Sequence, residues 1–73
     1  MAQARICSDV AGVVTAVLVS PGQRVAPGDQ VALLECMKME IPVIAERAGV
    51  AASLHVAEGE IVQEGQLIVI LDL

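Results

Sequence analysis

The chain has 73 residues, 56% of them hydrophobic, with no Phe, Trp or Tyr and a formal charge of −5. That length supports one small domain burying only about 60% of the surface its unfolded chain exposes, so Val, Ile, Leu and Ala must fill the core. An acidic chain with no ring to stack on a base excludes nucleic-acid binding, and its apolar runs fall well short of the roughly 18 residues of a membrane-spanning helix.

The opening segment, MAQARICSDV, lacks the basic-then-apolar layout of a secretory signal, and the expected location is the cytoplasm. From Ala11 to Glu35 and again from Ala48 to Asp72 the chain repeats one unit, displaced by 37 residues without insertion. Gly12, Gly22 and Gly28 return as Gly49, Gly59 and Gly65, and Val13, Val19 and Val25 return as Val50, Val56 and Val62. Within each unit Val13 to Val19 and Val50 to Val56 carry apolar residues at every second position, which predicts half-buried strands. "SPGQRVAPGD" and "AEGEIVQEG" predict turn, short strand and turn, with Gly supplying the turn conformations. Val31 to Leu34 and Ile68 to Leu71 predict short buried strands. The expected fold is therefore all-β: a flattened barrel or sandwich of two roughly four-stranded sheets related by a pseudo-twofold axis.

Between the units lies "LECMKMEI", residues 34–41, whose Leu, Glu, Met and Lys favour helix. The repeat overrides that preference. Segment 31–35 must match 68–72, "IVILD", which is a strand, and Pro42 would disrupt a helix running through both sides. The simplest geometry is two strands, ending near Cys36 and starting near Met39, joined by Met37 and Lys38. Two-residue hairpin turns ordinarily use Asn or Gly. Places where local preference is overridden are disproportionately functional. Lys38 is the sole lysine, and the symmetry puts it at the end opposite both chain termini.

The residues "ECMKMEIP" resemble the attachment motif Glu-Ala-Met-Lys-Met-Glu of biotinyl domains, the carriers of biotin-dependent carboxylases. The resemblance extends over essentially the whole chain, 1–73, as a single biotinyl/lipoyl-type domain with halves 11–35 and 48–72 and an attachment hairpin at 36–39. It implies that Lys38 is the biotinylated lysine, that Met37 and Met39 are read by biotin protein ligase, and that Glu35 and Glu40 bracket the motif. Cys36 departs from the usual Ala but stays small, and its thiol is open to oxidation. The halves match without insertion, so the "thumb" of some carrier subunits is absent.

The resemblance further implies a non-catalytic carrier, monomeric in isolation. Its partners would be the ligase and the biotin carboxylase and carboxyltransferase subunits of an acetyl-CoA or related acyl-CoA carboxylase. A lysine amine is mostly protonated at neutral pH, so the ligase must present an activated biotinyl group and help remove the proton. Tethering then replaces diffusion by a local search at effective concentrations of order mM. Two rival readings stand beside this one: lipoate on the same lysine, and an unmodified interaction module of the same fold. The residues outside the motif add no chemistry. Cys7 and Cys36 show no metal spacing and are expected to be small buried hydrophobes, unbonded in a reducing compartment. His55 has no partner at ligand spacing.

Overall fold

The short β-branched runs between Gly-containing turns form eight strands. They are β1 (Gln3–Cys7), β2 (Gly12–Val17), β3 (Arg24–Val25), β4 (Gln30–Cys36), β5 (Met39–Ile44), β6 (Gly49–Leu54), β7 (Ile61–Val62) and β8 (Leu67–Asp72). The computed structural model describes residues 2–73. Two antiparallel four-stranded sheets result, in the orders β1-β8-β6-β3 and β5-β4-β2-β7. Adding 37 to every residue number carries β1 to β4 onto β5 to β8, and so carries each sheet onto the other. The symmetry also relates β1 to β5, where Gln3-Ala-Arg-Ile-Cys and Glu40-Ile-Pro-Val-Ile are identical at no position.

Loops from each half close onto strands of the other. Gly22 N–H donates to the Ala51 carbonyl (2.7 Å) and Ala51 N–H to the Gln23 carbonyl (2.8 Å). The counterparts run from Gly59 to Val14 (2.8 Å) and from Val14 to Glu60 (2.9 Å). A sandwich stitched along its sides in this way has the character of a barrel. Its core is wholly aliphatic: Leu34, Ile68, Leu71, Val14, Val31, Val62 and Val69 are each no more than 1% exposed. Burying such a side chain contributes about 1.5–3 kcal/mol.

The expected alternation along β2 needs correction. Val13 is 38% exposed, whereas its neighbour Val14 is 1% exposed. The register with β4 shifts between Val14 and Ala16, and that with β8 shifts between Ala51 and Ser53. These bulges insert one residue into each strand and change which face the following residues occupy. The expected short strands in β4 and β8 are buried on both faces, with Val31, Ala32 and Leu34 matched by Ile68, Val69 and Leu71. The cysteines fit expectation only in part: Cys7 and Cys36 are unbonded, but both are half-buried rather than buried.

Leu73 N–H donates to the Ala2 carbonyl (3.1 Å), so these two residues lie together. Under the 37-residue shift that contact corresponds to Cys36 facing Met39. The pseudo-twofold operation thus exchanges the β4–β5 turn with the Leu73–Ala2 end of a molecule measuring 36 × 18 × 17 Å. Met1, on which the expected position of the N-terminal amine depends, is outside the described residues.

Candidate functional site

β4 and β5 stay in register up to the pair Cys36–Met39, which leaves Met37 and Lys38 as the whole of the turn. Their φ values are +53° and +66°, and they are the non-glycine residues with positive φ among those described. Positive φ at both central positions is the signature of the type I′ turn, whose twist suits a hairpin. A residue with a Cβ held there costs roughly 1–2 kcal/mol. The ladder between Leu34–Ile41, Glu35–Glu40 and Cys36–Met39 holds the conformation from below. Pro42 is tolerated because β5 is an edge strand, where a missing N–H need not break a ladder.

The turn is supported from beneath by β2. A Cβ on Gly12 would stand 2.6 Å from the Glu35 carbonyl oxygen and 3.6 Å from the Cys36 Cβ, so glycine there lets two backbones approach. Above this base Lys38 is exposed. Met37 and Met39 are 90% and 65% exposed, an unusual placement for long apolar side chains. Glu35 and Glu40 face each other across the hairpin, both exposed. The structure therefore brings all six of the residues singled out above, 35–40, to one protruding tip. What this arrangement offers chemically is one exposed primary amine in a two-residue turn at the end of the sheet.

Two features escaped sequence reasoning. Ser53 Oγ and His55 Nε2 lie 2.7 Å apart on the exposed surface of the second half, a pairing recoverable from the spacing of i and i+2 along a strand. Ile61, 70% exposed on β7, pairs with Val13 beside the tip. Comparing Ile61 with its repeat counterpart Arg24 would have flagged it.

Residues 2–71 match the biotin/lipoyl family model, described as biotin-requiring enzyme. The chain is 41% identical over 64 residues to a biotinylated protein TB7.3 homolog of Mycobacterium leprae, covering 88% of this chain and 90% of that protein. It is 40% identical over 67 residues to the mitochondrial propionyl-CoA carboxylase alpha chain of Mus musculus, covering 92% of this chain but 9% of that larger one. A segment of the crystal structure of Kluyveromyces lactis urea carboxylase superposes on 99% of this chain with a TM-score of 0.92 and 25% identity, and amounts to 6% of that chain. With a two-sheet fold, a family match across nearly all residues and relatives of this kind, the chain belongs to the biotin/lipoyl attachment domain family.

Proposed function

We propose that Lys38 carries biotin in amide linkage and that the protein is the carboxyl carrier of a cytoplasmic biotin-dependent carboxylase. The supporting observation is the position of the sole lysine, exposed in a two-residue positive-φ turn between two exposed methionines. This site suits the group, since an amine at the apex leaves its stem free to extend from the molecule. Lys38 Nζ gives up a proton and bonds to the activated carboxyl carbon of biotin, from which the activating group leaves. Biotin, once attached, supplies the ureido nitrogen that holds the carboxyl group in transit.

The residues of the chain supply placement, as carrier proteins do. Met37 and Met39 present apolar surface to the ligase, Glu35 and Glu40 flank it, and Cys36 fills the small position under the turn. The stiff hairpin keeps the arm clear of the domain, so that a carboxylase site and a carboxyltransferase site are reached in turn. The likeness to the propionyl-CoA carboxylase alpha chain supports an acyl-CoA as the carboxyl acceptor, acetyl-CoA or a relative of it.

Intact-mass analysis of protein purified from its native cells tests this reading. The expected result is one biotinyl increment, retained on streptavidin and lost in Lys38→Arg. A lipoyl increment would assign the other cofactor of the family to Lys38. Unmodified mass in cells with ample biotin and ligase would overturn the carrier role.

A further inference from the structure

A cavity of about 280 Å³ opens between β1 and β5, the strands that end the two sheets on one side of the molecule. Its fourteen lining residues are seven pairs related by the 37-residue shift, so the pseudo-twofold axis passes through it. The pairs Ile6–Val43 and Leu34–Leu71 form an aliphatic floor, each residue at most 9% exposed. That floor is core, and the fold needs it with or without a ligand. The signal lies in the pairs whose two members differ in charge.

Arg5 is the counterpart of Pro42, and Arg47 is the counterpart of Val10. Arg47 stands two residues before Gly49, which packs on the Asp72 carbonyl and Leu73, while Val10 stands two before Gly12, which packs on Glu35. Arg5 lies two places along β1 from the Gln3–Asp72 pair, as Pro42 lies two places along β5 from the Glu40–Glu35 pair. Both arginines therefore line the half of the cavity toward Leu73, and their uncharged counterparts line the half toward the turn. Both are exposed, and among the described residues neither guanidinium takes part in a side-chain hydrogen bond. A charge on an edge strand guards against pairing with other chains, which accounts for Arg5 alone. Arg47 lies in the connection from β5 to β6, so guarding an edge does not explain it. An acid sits in each half, Glu46 beside Arg47 and Asp9 beside Val10. Two cations against one acid leave the Leu73 half positive, and Asp9 leaves the other half negative.

We propose that this cavity binds a straight-chain monocarboxylate of medium length, its carboxylate on Arg5 and Arg47 and its methylenes over Ile6, Val43, Leu34 and Leu71. An apolar cavity with a few polar groups that fix orientation is the usual form of a small-molecule site. A guanidinium fork matches a planar carboxylate through two parallel hydrogen bonds. An unbranched chain suits a cavity bounded by two strand edges. One surplus positive charge calls for one negative charge, and Asp9 in the opposite half turns away a second carboxylate. Residues 35–40 take no part in the lining, so the site is independent of the modification of Lys38.

Titration of the isotope-labelled protein with octanoate, followed through its amide resonances, tests this. Millimolar octanoate should give saturable shifts in β1, in β5 and at Glu46 and Arg47, and should leave Val62 and Gln63 unmoved. Octanedioate, with a carboxylate at each end, and octanamide, with a neutral head, should each bind more weakly by about tenfold or more. Arg5→Gln with Arg47→Gln changes exposed residues whose counterparts are uncharged, so this double variant should melt within a few degrees of the parent. Its affinity for octanoate should fall by about tenfold or more. Ala4→Ile gives β1 the residue that Ile41 supplies at the equivalent place, and by filling the cavity it should weaken octanoate without touching a charge. Shifts that do not saturate, or that spread over the whole surface, would overturn the proposal. Equal affinity for octanamide would remove the carboxylate from it, and equal affinity for octanedioate would overturn the preference for one charge. Octanoate affinity unchanged in the double variant would overturn the assignment to the arginines. Should that variant fail to fold, Arg47→Gln alone, outside every strand, must still weaken binding.

Discussion

Gly12 and the carbonyl oxygen of Glu35 are so close that a Cβ on Gly12 would stand 2.6 Å from that oxygen, and Gly49 stands in the same relation to Asp72. Neither neighbour is a flexible side chain, so a methyl group must push backbone from backbone. Gly12→Ala and Gly49→Ala should each destabilise the fold by about 1–3 kcal/mol, the usual penalty of overpacking. The two should differ in function. Gly12→Ala moves the base of the hairpin and should slow modification of Lys38, while Gly49→Ala should leave the rate unchanged. Thermal melts and ligase time courses on both variants decide this.

The positive φ of Lys38 predicts a conflict between stability and use. Lys38→Gly relieves the strain of a Cβ at +66° and should raise the stability of the domain by about 0.5–1 kcal/mol. For a domain of this size that is a rise in Tm of a few degrees, on the scale of about 4–8 °C per kcal/mol. The same variant has no acceptor amine. A Tm equal to or below that of the parent would show that the turn is not strained.

Exchanging Met37 and Lys38 keeps composition and charge and retains a non-glycine residue at both turn positions. The amine then leaves the tip from the preceding position and in another direction. Biotin transfer should slow by at least tenfold, which corresponds to about 1.4 kcal/mol of lost positioning in the transition state. Equal rates for the exchanged and parent proteins would mean that the ligase needs only an accessible lysine.

Cys36 is half-buried under the turn, its Cβ beside the space that Gly12 leaves open. Cys36→Ala restores the residue usual in the motif it resembles. The change in stability should stay below about 1.5 kcal/mol, as for mild core substitutions, and modification should proceed at the parent's rate. A large drop in rate would give the thiol itself a part in recognition.

The legible parts of this fold are those where chemistry leaves no choice. The glycines could not drift, because four of them sit at positive φ in turns and two at a backbone contact, and so they preserve the 37-residue register. That register in turn forces a strand ending at Cys36 and makes a helix through Lys38 untenable. The parts that stayed hidden are permissive ones. β1 and β5 are equivalent edge strands, yet little more than inward-facing Ile6 and Val43 constrains them, so their repeat is invisible in the letters. The bulges at the Val14–Ala16 and Ala51–Ser53 steps are also silent, since neither Val13 next to Val14 nor Val50 next to Ala51 gives a sign of which residue points inward. The exposed Ile61 was missed because an apolar letter in a β-rich chain reads as core.

A core made only of aliphatic side chains, in a chain without Trp or Tyr, leaves the protein without ultraviolet fluorescence of its own. Unfolding must therefore be followed through the backbone or through methyl resonances. In a mixture with any tryptophan-containing enzyme the whole emission then comes from that enzyme, and the carrier is a dark titrant. Quenching or a spectral shift as the carrier is added reports docking directly, with neither labels nor background to subtract.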